Sequence, residues 1–338
     1  MRGFLKRLSK TACVSLLGVV ILGWVAWAFG ALWFDCPVAA PGHPVSVVYL
    51  MTILVLLMLW SRGRRWAAPG AVVLTVVVTL WWALLKPSSD RNWQTDVSRE
   101  PWAEVNGDLV TIHNVRNFDY RPEDTGGERN PRWETRTIRL SQLVGLDVFL
   151  NFWGVSWMAH PILSFQFKDA SPIAISIETR KEKGEAYSAL GGLYRQYELI
   201  YIVGDERDLV RVRSNYRTGE DVYLYRTTLP LEEIRERFLE YIRSMNDLHQ
   251  RPRWYNAITA NCTTSIRSQR SIAARAPWDL RILLNGRIDQ MFYERGMLVT
   301  DGLTFPELRR RALINAAAKE ADRDPEFSRC IRSGLPGF

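Results

Sequence analysis

The sequence predicts an α+β protein: three membrane-spanning helices, then an extracytoplasmic domain with an antiparallel sheet and helices. Three observations predict it. Uncharged apolar runs near 11–34, 44–60 and 67–85 each approach the ~20 residues that cross a bilayer core. After residue 86 the chain breaks into short stretches that alternate like strands. From Pro230 onward the apolar spacing becomes helical. With 338 residues the chain accommodates a membrane region (1–86) and one sizeable second domain (87–338).

Charge placement orients the three spans. Residues 1–86 hold eight Lys/Arg against one acid, Asp35, although the whole chain carries only +8. The high pI is therefore a topology signal, and nucleic acid is not an expected partner. The basic N-terminus and residues 62–65 flank the spans on one side, whereas the 35–44 connection has no Lys or Arg. The excess of basic residues on cytoplasmic loops then sends everything after about residue 87 to the outside. Trp24, Trp27, Trp33, Trp60, Trp81 and Trp82 lie in or beside these runs, where an amphipathic ring suits the interface. The first run is too long for the core of a cleaved signal, and two more spans follow it.

In the second domain, 108–115 (DLVTIHNV), 135–140 and 143–153 read as strands by β-branched content or alternation. The clearest unit is a hairpin, 162–167 and 173–178, around 168–172. Its second strand places Ile173, Ile175 and Ile177 on one face and Ala174, Ser176 and Glu178 on the other. A further strand pair is expected at 197–204 and 209–213, around the GDERD turn, and a short strand at 222–226. Leu231, Ile234, Phe238, Ile242 and Met245 predict an amphipathic core helix. A short helix is expected over 262–272, then helical segments broken at Gly286, Gly296 and Pro306.

Four cysteines carry no CxxC or Cys/His metal spacing, so neither a metal site nor a cofactor is expected. Cys13 lies inside the first span, and a Cys36–Cys330 bridge is left open. Cys262 is different. It follows Asn261 at the start of a helix, where partial positive charge and unpaired backbone N–H groups favour a thiolate and a developing oxyanion. A thiol nucleophile needs a base. Of the four histidines, His160, at the head of a strand in WMAHPILSFQF, has the best setting. A hairpin turn centred near Ala170 brings His160 opposite the Glu178 region, within about 5 Å across the strands. Glu178, or Ser176 if the register slips by two, is the group expected to orient the imidazole. Tyr255, Asn256 and Asn261, close to the nucleophile, are candidate substrate-binding residues.

WGVSWMAHPILSFQF, the ISIETRKEKGEAYS stretch and YNAITANCTT together resemble the Lnb N-terminal periplasmic domain family. That family is similar to the permuted branch of NlpC/P60-type, papain-like thiol enzymes, in which the histidine precedes the cysteine. The resemblance implies Cys262 as nucleophile, His160 as base and Glu178 as third polar residue. It also implies a bacterial inner-membrane protein with its C-terminal domain in the periplasm. The implied activity moves an acyl chain from an ester of a lipid or lipoprotein through a thioester on the cysteine. The three leading spans and the arginine-rich segment 91–139 have no counterpart in that activity. Two other readings remain at this point: an NlpC/P60-type cell-wall amidase or peptidase, and a non-catalytic membrane scaffold.

Overall fold

The computed structural model of the protein describes residues 2–36, 43–120, 131–154, 157–269, 279–282 and 285–338. The chain forms two units. One gathers Met1–Pro87 with Tyr187–Tyr197, and the other holds Ser88–Ala186 and Glu198–Phe338.

In the first unit the apolar runs form α1 (Arg2–Asp35), α2 (His43–Ser61) and α3 (Ala67–Leu84), all long and apolar enough to cross a membrane. Ala28, Leu32, Tyr49, Ile53, Ala71 and Val78 make their common core. Leu16, Val73 and Leu80 point outward, as helix faces in contact with lipid require. Polar groups between the helices are paired: Trp24 Nε1 donates to Thr79 Oγ1 at 3.0 Å, and Tyr49 Oη meets Thr75 Oγ1 at 3.0 Å. The segment Tyr187–Tyr197, which the sequence assigned to the second domain, closes the end of this unit. The Arg195 guanidinium lies over the Trp82 ring and donates to the Trp82 and Leu85 carbonyls, satisfying the C-terminus of α3.

The second unit is built on a sheet of eight described strands: β1 (Trp102–Asn106), β2 (Leu109–Arg116), β3 (Trp133–Arg139), β4 (Leu143–Trp153), β5 (His160–Phe167), β6 (Ile173–Arg180), β7 (Glu198–Gly204) and β8 (Glu220–Arg226). The order is β1-β2-β7-β6-β5-β4-β8, with β3 also on β2. Pairing is antiparallel except where β2 meets β7 in parallel at Arg116 and Gly204, so the sheet is mixed. The β5–β6 hairpin has the register its alternation predicts, with Ile162 opposite Ser176 and Phe165 opposite Ile173. Both faces of β6 are buried, because the sheet is covered on two sides. The long helix Leu231–Gln250 packs Phe238 and Tyr241 against Phe165 on one face. On the other, Ile314, Ala318, Phe327 and Ile331 meet Phe149, Ile162, Ala174 and Ile202.

The helices in chain order are α4 (Glu206–Leu209), α5 (Leu231–Gln250), α6 (Cys262–Ser268), α7 (Ile288–Glu294), α8 (Phe305–Ala312), α9 (Asn315–Glu320) and α10 (Phe327–Cys330). Two expectations need correction, and one strand was not expected. The strand expected at 209–213 is helical: α4 runs into a π-helical turn at Val212–Tyr216. Asp205 caps it by accepting from Arg207 N, and the buried acids Glu206 and Asp208 need the arginines they find at Arg332 and Arg116. Pro306 starts a helix instead of breaking one, since Thr304 and Glu307 form a capping box around it. β1 was not foreseen, and turns into β2 at Gly107, where φ is 62°. Of the helix expected over 262–272, residues 270–272 lie outside the described residues. Cys36 and Cys330 are free thiols.

Candidate functional site

His160 opens β5 because one neighbour holds its backbone there in two ways. It pairs with Asn151 as the last partner of the β4–β5 ladder, and the Asn151 amide donates to its carbonyl at 2.9 Å. The imidazole is buried, with 6% exposure. Its Nε2 lies 2.6 Å from Ser176 Oγ and 2.9 Å from Glu178 Oε1. Ser176 in turn donates to Glu178 Oε1 at 2.7 Å. The two polar candidates that the hairpin register offered are therefore both used, as neighbours i and i+2 on one face of β6.

Glu178 has a second cationic partner. Arg213 Nη2, from the π-helical turn, reaches Glu178 Oε1 at 2.8 Å, and Arg213 Nη1 reaches Glu220 Oε2 at 3.3 Å. Burial pushes the Glu178 carboxyl up, but the charges of His160 and Arg213 and the hydrogen bonds from His160 and Ser176 outweigh it. The carboxyl is held well below the usual carboxylate range. An ionised Glu178 accepts from Nε2–H, which selects the tautomer whose lone pair is on Nδ1. Nδ1 is then the ring nitrogen able to take up a proton.

Cys262 is the first residue of α6, and its backbone alone is described; the thiol lies outside the described residues. α6 packs against β5 and β6, the strands that carry His160, Ser176 and Glu178. Its start is fixed by a reciprocal cap: Asn261 Oδ1 accepts from Thr264 N at 2.8 Å, and Thr264 Oγ1 accepts from Asn261 N at 3.0 Å. At its other end Gln269 Nε2 donates to Tyr201 Oη at 2.6 Å.

The candidate substrate-binding residues sit in the segment leading to Cys262. Asn261 spends its side chain on the cap and on the Ala257 carbonyl, 2.8 Å away. Asn256 Oδ1 accepts from Ile258 N and Thr259 N, shaping the 256–260 turn. Tyr255 is buried. The structure thus brings His160, Ser176 and Glu178 into contact and gives Asn256 and Asn261 local structural bonds. Sequence reasoning missed Arg213, hidden in a segment read as strand, and Asn285, which joins the Ala159 amide to the Thr263 hydroxyl. No local pattern marks either, because each acts on a partner far away in sequence. Among the described residues, no group of three or more His, Cys, Asp or Glu is placed to hold a metal ion.

No curated protein and no solved structure matches the chain. The match to a family model spans residues 129–286, which include His160, Ser176, Glu178, Arg213 and Cys262, while three apolar helices precede it. The family model that matches is that of the Lnb N-terminal periplasmic domain, and the three apolar helices ahead of it fit a membrane protein with a periplasmic domain.

Proposed function

We propose that the protein is a cysteine acyltransferase or hydrolase of the bacterial inner membrane, acting in the periplasm on an acyl ester of a lipid or lipoprotein. The observation that carries this reading is the His160–Ser176–Glu178 network on the two strands against which the Cys262 helix packs, with Arg213 of the π-helical turn bound to Glu178. A strand histidine preceding a helix-start cysteine is also the order of the permuted NlpC/P60-like arrangement. The three apolar helices favour a substrate held in the bilayer.

The steps follow from the roles. His160 Nδ1 takes the Cys262 thiol proton, with Glu178 stabilising the imidazolium. The thiolate adds to the ester carbonyl; the C–O bond breaks as the S–C bond forms, and the imidazolium returns its proton to the leaving alkoxide. The acyl thioester is then attacked by an amine or by water. His160 takes that nucleophile's proton, the S–C bond breaks, and the thiolate leaves to be reprotonated by the imidazolium.

The test is the intact mass of the detergent-solubilised protein after incubation with a synthetic diacylated lipopeptide, beside Cys262→Ala. The expected result is an acyl adduct on the wild type, removed by hydroxylamine and absent from the variant. Acyl transfer to the peptide amine identifies a transacylase, and free fatty acid a hydrolase. No adduct, with fragments released from purified cell wall instead, would replace this reading with a peptidase.

A further inference from the structure

Two short pieces of chain must meet for the proposed dyad to work, the head of β5 and the start of α6. Ala159 lies one residue before β5, beyond the last pair of the β4–β5 ladder, Asn151 with His160. α6 has only seven residues, too few to be stable without outside contacts. One side chain ties both. Asn285 Oδ1 accepts from Ala159 N at 2.7 Å, and Asn285 Nδ2 donates to Thr263 Oγ1 at 2.7 Å. Ala159 precedes His160, and Thr263 follows Cys262. The amide is 6% exposed, and Gly286 N donates to the Trp157 carbonyl at 3.0 Å beside it.

We infer that Asn285 is the positioning residue of this site: its planar amide sets the separation between the His160 strand head and the Cys262 helix start. The inference rests on the dyad reading above. A primary amide suits the task because it presents an acceptor and a donor in one rigid plane. Both bonds are buried, so losing either leaves a polar group that water cannot readily reach. Asn285 touches no reacting atom. It acts through geometry, and small misplacements of reacting groups are costly.

The test follows alkylation of Cys262 by iodoacetamide across pH in the full-length solubilised protein, with peptide mass spectrometry separating Cys262 from the other cysteines. Asn285→Ala removes both bonds. Thr263→Val removes the hydroxyl at nearly constant shape, and Thr263→Ser keeps it. Asn285→Ala and Thr263→Val should each slow alkylation at neutral pH by about tenfold or more. Their profiles should move towards that of an ordinary thiol, as in His160→Ala. The double variant should be no worse than the worse single one, and Thr263→Ser should retain the wild-type profile. If Asn285→Ala unfolds, the Val and Ser pair at Thr263 decides. Wild-type profiles in the clamp variants beside an altered His160→Ala overturn the clamp alone. A wild-type profile in His160→Ala overturns the dyad reading, and the clamp with it.

Discussion

A single carboxylate oxygen, Glu178 Oε1, receives His160 Nε2, Ser176 Oγ and Arg213 Nη2. Its charge therefore governs both the tautomer and the orientation of the imidazole. Glu178→Gln keeps the shape but loses the charge, and its amide can present either end to Nε2. The expected loss of Cys262 acylation is on the order of 10²–10⁴, the usual contribution of general acid–base catalysis, and it reaches about 10⁴ where an orienting carboxylate becomes an amide. A variant with undiminished adduct formation would remove Glu178 from the mechanism. Arg213 is testable through pH. A carboxyl held below its usual range contributes stability at pH above its unfolded value and loses it as pH falls through the folded one. Removing the guanidinium lets burial count for more, so that loss begins at higher pH. Arg213→Met should move the acid-unfolding midpoint upward relative to the wild type; an unchanged midpoint would show that His160 and Ser176 hold Glu178 ionised unaided.

Among the elements, the hairpin shows what a sequence can reveal. Strict alternation around a short turn fixes register, and that register puts His160 opposite the Glu178 region, with Ser176 the choice only if it slips by two. β4, apolar apart from Asp147 and Asn151, is equally readable. The 209–213 segment was not, because its structure depends on partners outside it: Glu206 and Asp208 are buried against Arg332 and Arg116, more than ninety residues away. Arg213 and Asn285 escaped for the same reason. The Asn261 cap lies between these cases, since Asn followed three residues later by Thr is a helix-start signal, yet its side chain could equally have been assigned to a substrate. The cap makes a separate claim. Asn261→Ala should cost about 1 kcal/mol in urea unfolding, and Asn261→Asp, which keeps the acceptor for Thr264 N, should recover most of it. If Asp recovers nothing, the bond from Asn261 Nδ2 to the Ala257 carbonyl is the more important one.

At the scale of the whole molecule, the second unit begins where the third apolar helix ends, and its first residues are laced onto the sheet. Ser88 N donates to Glu198 Oε1 at 2.6 Å, Arg91 Nε lies 3.3 Å from the same oxygen, and Gln94 N donates to the Lys181 carbonyl. Glu198 is 2% exposed. Burial pushes its carboxyl up to about 7, with the Ser88 amide, Arg91 and Arg180 pulling it down and Glu100 adding to the rise. The sign follows from proton binding. Between about 4.5, the ordinary value, and about 7, the folded protein holds a proton at Glu198 that the unfolded chain has released. The stability from this group is full at acid pH and is lost as pH rises through about 7. Ionisation also leaves a buried charge whose compensation depends on Arg91 and the Ser88 amide, so the anchoring of the first residues becomes charge-assisted as the carboxyl opens to base. Glu198→Gln stays neutral throughout and keeps an acceptor for Ser88 N. The melting temperature of the solubilised wild type should fall relative to that of Glu198→Gln between pH values bracketing this window, with the two differing least at the acid end. Parallel curves across the window would show that Ser88 and Arg91 hold Glu198 ionised at neutral pH, and that the lacing is an ordinary ion pair.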